Sequence, residues 1–239
     1  MNTLPFHKMH AQGNDFVILD GRNVPLPELT QTLIIDIAER RRGIGCDQVL
    51  ALLPDDDCAA AMRIFNNDGS EAETCGNGLR CAGALLLEEK GADSLHIRVG
   101  ERTVRIQGGS DGICVHMGEA HIGDTTDAHV DVNIGNPHRV FFTATEEFPN
   151  DRNIEIVSGQ IADEVYIDII ERGVGHTPAC GSGACATAVA IWHQDKHQRP
   201  QHIHMPGGTV LVSGSANDVL LEGPVSFVCS GEYRLPLND

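Results

Sequence analysis

The chain has 239 residues, enough for one large domain or for two lobes with cores of their own. Its formal charge of −17 and pI near 4.9 argue against nucleic-acid or acidic-membrane partners and leave the acidic excess as a solvated surface. The opening residues lack the apolar stretch of a secretory signal and nothing approaches a membrane span, so a cytoplasmic protein is expected, its 8 cysteines reduced rather than paired.

In chain order, residues 4–9 lead into a turn at His10–Asn14, followed by an apolar strand ending at Asp20. A helix is expected over Pro25–Arg41, with Pro27 near its start, Leu33, Ile34, Ile37 and Ala38 on one face, and Gly43 beyond its end. The Arg40–Arg42 cluster suits a helix C-terminus. A glycine turn at Gly43–Gly45 feeds a strand from Gln48. Asp55–Asp57 begins like a calcium loop but lacks the later ligands and glycine, so it is read as a surface turn. A strand over Met62–Phe65 ends in the Asn66–Gly69 turn, and a helix over Thr74–Glu89 is closed by Gly91. Strands at 95–99, 102–107 and 113–117 alternate apolar with polar residues. The stretch from Gly118 to Asp131 carries few apolar residues and divides a first lobe, 1–118, from a second, 119–239, with the last strand free to return to the first. In the second lobe, strands near 139–143, 154–157 and 165–170 precede a helix at 182–194 and strands near 209–212, 218–222 and 225–229. Cys46, Cys58, Cys114 and Cys229 stand in apolar or mixed surroundings and are expected as small buried residues.

The two lobes share a repeated motif. Cys75-Gly-Asn-Gly and Cys180-Gly-Ser-Gly each lead an Ala- and Leu-rich helical run, 105 residues apart. Upstream, Arg63-Ile-Phe-Asn66-Asn-Asp-Gly aligns with Asp168-Ile-Ile-Glu171-Arg172-Gly; each half also has a Gly-Asn turn, Gly13-Asn14 and Gly135-Asn136. The offset is larger at those turns, so the second half has lost residues before Cys180. A cysteine ahead of Gly-x-Gly sits where a loop becomes a helix, beside unpaired N–H groups that favour a carboxylate and a thiolate. One thiolate and one thiol on opposite sides of a carbon can invert it, with no metal or pyridoxal group implied.

The segments His10-Ala-Gln-Gly-Asn-Asp-Phe, Gly43-Ile-Gly-Cys-Asp-Gln, Arg63-Ile-Phe-Asn-Asn-Asp-Gly-Ser-Glu, Cys75-Gly-Asn-Gly-Leu-Arg-Cys, Gly135-Asn-Pro-His, Glu171-Arg-Gly-Val-Gly-His-Thr and Cys180-Gly-Ser-Gly-Ala-Cys-Ala resemble diaminopimelate epimerase. The resemblance runs from about residue 7 to 230. It implies an α/β (α+β) fold of two pseudo-symmetric lobes, each a curved mixed sheet around a central helix, and usually a homodimer. It also implies cofactor-independent conversion of LL- to meso-diaminopimelate, for lysine and cell-wall synthesis. Carried over motif by motif, Cys75 and Cys180 are the catalytic thiols, donor and acceptor by the family's convention, with roles that exchange with direction. His138 and Glu171 match the pair that tunes them. Asn14, Gln48, Asn66, Gly76, Asn77, Asn136, Asn153, Glu171, Arg172, Gly181 and Ser182 match substrate-binding positions; Arg172 can take a distal carboxylate bidentately.

The chain departs from the family's pattern at Gly175-His176-Thr177, where Gly-Glu-Thr is usual, and at Cys229, where an aromatic is frequent. The stretch from Phe142 to Asn153 is short, so a helix of the second lobe is expected to be missing. Two rival readings compete. A same-fold racemase of histidine, proline or hydroxyproline would not need a second charged end on its substrate. A zinc or thiol-redox protein would use Cys75/Cys81 and Cys180/Cys185, whose spacings fit neither Cys-x-x-Cys nor a tight zinc knuckle.

Overall fold

The computed structural model describes residues 3–143, 145 and 147–235. The chain divides into two compact units, Met1–Gly108 with Val225–Asp239, and Gly109–Pro224. The first opens with β1 (Thr3–Ala11), β2 (Asn14–Asp20), α1 (Gln31–Ala38), β3 (Gln48–Leu53), β4 (Ala60–Asn66) and the short β5 (Glu71–Ala72). It continues through α2 (Gly76–Lys90), β6 (Ser94–Val99) and β7 (Arg102–Gly108). The second unit holds β8 (Ile113–Gly118), β9 (His121–Thr125), β10 (His129–Asn133), β11 (Pro137–Phe141), β12 (Asn153–Ile161), β13 (Glu164–Glu171) and the short β14 (Gly175–His176). Next come α3 (Gly181–Asp195), β15 (Gln201–Met205), β16 (Gly208–Ser215) and β17 (Asp218–Gly223); β18 (Ser226–Arg234) then rejoins the first unit by pairing with β1. The result is a sheet-rich mixed α/β architecture. No helix among the described residues is long and apolar enough to cross a membrane.

Within each unit the strands follow the same plan. In the first, β18, β1, β2, β3, β4, β6 and β7 lie side by side, with β2–β3 and β4–β6 parallel and the other neighbours antiparallel. In the second, β9, β10, β11, β12, β13, β15, β16 and β17 do the same, with β11–β12 and β13–β15 parallel. β8 then completes that sheet against β17. This long-range pairing puts 113–118 in the second unit, where the low-apolarity boundary had assigned it to the first.

The two long helices, 15 residues each, occupy equivalent places. α2 packs on the sheet face that carries Leu50 and Ile106, so closely that a Cβ on Gly83 would lie 2.5 Å from Ile106 Cγ2. α3 is buried continuously from Gly181 to Trp192, which explains why it has small residues on every side: an all-round apolar helix is a core helix. Gly91 ends α2 in the left-handed conformation, its N–H and that of Ala92 returning to Glu88 and Leu87. Lys196 takes the same left-handed conformation after α3, φ 55°, without a glycine's freedom.

α1 covers the opposite face of the first sheet, where Leu33, Ile34 and Ile37 meet Val17, Leu19, Val49 and Phe65. Each such side chain contributes about 1.5–3 kcal/mol when fully buried. The helix is shorter than the expected Pro25–Arg41. It starts after Thr30, whose Oγ1 accepts the Leu33 N–H at 3.3 Å, because Pro25 and Pro27 keep the preceding chain extended. It stops at Ala38 because Ile44, Gly45 and Cys46 fold back to donate to the carbonyls of Ile37 and Ala38. Arg40–Arg42 therefore lie beyond the helix, not in its last turn. No helix joins β11 to β12 among the described residues. Phe148 packs edge-on to Phe141 there, with 5.8 Å between ring centroids. Of the four cysteines expected to be buried, Cys46 and Cys114 are, Cys58 is half-buried, and Cys229 is exposed on β18.

Candidate active site

In the first unit the site begins at the turn between β1 and β2. Gln12 and Gly13 both have positive φ, 50° and 84°, the requirement of a tight two-residue hairpin. Asn14 follows directly. Its Nδ2 donates to Asp47 Oδ2 at 3.0 Å, and its Oδ1 accepts from Asn77 Nδ2 at 3.1 Å. Arg80, fully buried one turn along α2, donates to Asn77 Oδ1 at 2.6 Å and Gln12 Oε1 at 2.7 Å. The hairpin is thus tied to the first turn of α2. Beside it, Gln48 and Asn66 face each other across β3 and β4, with Gln48 Nε2 donating to Asn66 Oδ1 at 2.9 Å. Asn14, Gln48, Asn66, Gly76 and Asn77 therefore gather where β2 and β3 start, β4 ends and α2 begins.

Cys75 is the N-cap of α2, extended at φ −154° and ψ 104°. Its Sγ accepts the Gly78 N–H at 3.3 Å, so the sulfur sits over the helix's unpaired donors. Nearby, Asp15 is held by Lys8 Nζ at 2.6 Å and by both terminal nitrogens of Arg40 at 2.9 Å. Burial works against its charge, but these two cations outweigh burial and hold the Asp15 carboxyl well below the usual carboxylate range. The network braces Asp47, which receives Asn14.

In the second unit Cys180 occupies the same position ahead of α3, at φ −130° and ψ 112°. Its Sγ lies 3.5 Å from the Ser182 hydroxyl. Burial, followed by the charges of Glu171 and Glu155, pushes the Cys180 thiol well above its ordinary range. A helix N-terminus alone favours thiolate; here burial and two carboxylates override it, and unliganded Cys180 keeps its proton at neutral pH. Burial raises the Glu171 carboxyl above its ordinary range, against the opposing influence of Thr177 and of the Cys180 thiol. Burial is likewise the leading cause at Cys46 and Cys81, each pushed up to about 12.

His138 and Asn153 are register partners across the parallel pair β11–β12. His138 is engaged at both ring nitrogens: Nδ1 is 2.8 Å from Glu155 Oε1, and Nε2 is 2.9 Å from Asn136 Oδ1. Asn153 Oδ1 accepts the Arg172 N–H at 2.9 Å, which fixes the backbone from which the exposed Arg172 guanidinium extends. Asn136, His138, Asn153, Glu171, Arg172, Cys180, Gly181 and Ser182 thus form the second unit's cluster. His176 is exposed on β14.

Each cluster places a cysteine, a run of helix-start amides and several amide side chains together, an arrangement suited to holding an amino acid's carboxylate beside a proton-transferring sulfur. The sequence matches the family described as diaminopimelate epimerase over residues 6–123 and 130–228. The chain belongs to that family. Diaminopimelate epimerases from Acidiphilium cryptum and Erythrobacter litoralis are 37% and 36% identical to it; each alignment covers 95% of this chain, and 95% and 96% of the relative. Among solved structures, a predicted epimerase from Pseudomonas aeruginosa shares the fold at a TM-score of 0.73 and 18% identity, covering 96% of this chain and 98% of that one. A hydroxyproline epimerase from Agrobacterium vitis does so at 0.73 and 14%, covering 98% and 93%.

Several contributors to these diaminopimelate-epimerase clusters carry no motif of their own. Gln12, Asp47 and Arg80 support Asn14 and Asn77 from behind. Glu155 is hidden by alternation itself: in Asn153-Ile-Glu-Ile the flanking isoleucines assign the carboxylate to a polar face, yet it is fully buried. Cys81 and Cys185, the partners a metal or redox reading requires, are fully buried within their helices. Among the described residues no three His, Cys, Asp or Glu side chains converge as a metal ligand set.

Proposed function

We propose that this protein is an isomerase that converts LL-2,6-diaminopimelate to the meso form, supplying lysine and peptidoglycan precursor synthesis. The observation that carries the reading is the family membership together with two equivalent helix starts, each led by a cysteine. Cys75 and Cys180 are the two proton-transferring groups. The sulfur in the thiolate form removes the α-proton from one face, and the other sulfur, as a thiol, delivers a proton to the opposite face. By the family's convention Cys75 is the proton donor and Cys180 the acceptor, and the roles exchange with the direction of the reaction. Amides at Gly76–Asn77 and Gly181–Ser182 take the α-carboxylate and the charge that develops on it. General acid–base transfer of this kind contributes about 10²–10⁴-fold. No cofactor takes part in this scheme.

His138 and Glu171 tune the thiols. Asn14, Gln48, Asn66, Asn136, Asn153 and Glu171 bind the ammonium and carboxylate groups, and Arg172 takes the distal carboxylate. A homodimer in the cytoplasm is the working form we expect. The test is a substrate panel, assayed on purified protein without added cofactor. LL-diaminopimelate should give the meso isomer, while proline, trans-4-hydroxyproline and histidine should show kcat/KM lower by about 10³-fold or more, since each leaves polar groups at the distal end unmatched. Comparable turnover of any of the three would overturn the substrate assignment, and stoichiometric zinc required for activity would overturn the thiol chemistry.

A further inference from the structure

Glu155 stands apart from the other acidic residues among the described residues. Both it and His138 have side chains with no exposure, and Glu155 Oε1 lies 2.8 Å from His138 Nδ1. The second oxygen, Oε2, is equally buried and has no hydrogen-bond partner among the described residues. A buried carboxylate with an unmatched oxygen is costly and calls for an explanation. Room for it is made by α3: a Cβ on Gly183 would stand 2.4 Å from Glu155 Oε1, so glycine in the first turn after Cys180 is what lets the carboxylate reach that place. The titratable groups that face it are His138 from β11, Glu171 from β13 and Cys180 ahead of α3.

Resting on the two-thiol reading above, we infer that Glu155 is a positioning residue. It orients the His138 ring through Nδ1, turning Nε2 toward Asn136, and its negative charge against the first turn of α3 keeps Cys180 a thiol in the free protein. Two effects therefore share one carboxylate. Without it, His138 loses the partner that fixes its ring, and Cys180 loses one of two charges that oppose its ionisation. The signs are opposite to those of simple damage, since removing Glu155 makes the Cys180 thiolate easier to form while making catalysis worse.

Glu155→Gln keeps the size and removes the charge. With cysteine labelled at ¹³Cβ, and the Cys180 signal assigned by its loss in Cys180→Ala, the Cys180 titration should move down by about one pH unit or more in Glu155→Gln. The kcat/KM for diaminopimelate should fall about 10- to 100-fold, its pH profile should shift in the same direction, and the melting temperature should stay within a few degrees. An unmoved Cys180 titration in folded Glu155→Gln overturns the inference. If Glu155→Gln does not fold, Glu155→Asp, which draws the charge back by one methylene, must show the same signs at smaller size; wild-type values there overturn it. The titration is read without substrate. A shifted titration in a protein inactive on diaminopimelate would uphold Glu155 and sink the substrate reading, whereas an active wild type with an unmoved titration would do the reverse.

Discussion

Cys75→Ala and Cys180→Ala are each expected to lower kcat for epimerisation by about 10³- to 10⁴-fold, with the fold retained. Either substitution leaves one face of the α-carbon without a proton-transferring group, and water cannot substitute for a sulfur held against helix-start amides. The two differ in their structural cost. Cys75 Sγ caps the Gly78 N–H, so alanine there removes an N-cap worth about 1 kcal/mol. Cys180 makes no such side-chain cap bond. Cys75→Ala should therefore melt a few degrees below wild type and Cys180→Ala close to it, while both lose activity alike. Steady-state assay of stereoisomers beside thermal melts checks both statements; either variant with a tenth of wild-type activity contradicts the two-base mechanism.

Arg172→Ala is expected to lower kcat/KM for diaminopimelate by about 100-fold, chiefly through KM, because a bidentate charge-assisted pair contributes about 1.5–3 kcal/mol and its loss leaves the distal carboxylate unmatched. Arg172 is exposed, and among the described residues its side chain donates to the Asp151 carbonyl, at 3.3 Å. Stability should accordingly change by no more than about 0.5 kcal/mol. Arg172→Lys should recover part of the loss, since an ammonium keeps the charge but not the two-pronged geometry. Initial rates over a range of substrate concentrations separate KM from kcat. Unchanged kcat/KM in Arg172→Ala removes the argument for a charged distal end.

Much of this was legible because the sequence states its helix starts locally. Cys75-Gly-Asn-Gly and Cys180-Gly-Ser-Gly mark both N-termini, and Gly91 marks one C-terminus, since these are positions where only nearby backbone geometry decides. α1 was overextended because its ends are set by tertiary events: the prolines before Thr30 and the return of residues 44–46 onto its last carbonyls. β8 was assigned to the wrong unit for a related reason, as its partner β17 lies about a hundred residues further on and alternation says nothing of partners. The assignment of Asn14, Asn77, Asn153 and Arg172 to substrate-binding positions came from family motifs, which do not say that Asn14 meets Asn77 or that Asn153 holds the Arg172 N–H. Glu155 escaped notice because its meaning lies in the parallel pairing of β11 with β12, which brings it to His138, and in a glycine on α3 that neither strand can announce.

The central claim, that two thiols work on opposite faces of one carbon, is tested most directly by running LL-diaminopimelate in deuterium oxide and following both isomers from the first turnovers. The donor sulfur carries a solvent deuteron, whereas the sulfur that took the substrate's proton can return it only to the face it came from. Deuterium should therefore appear at the inverted centre of the meso product while the remaining LL substrate is still protonated. Deuterium entering unreacted LL substrate as fast as it enters meso product would mean a single base serving both faces, and would contradict the account.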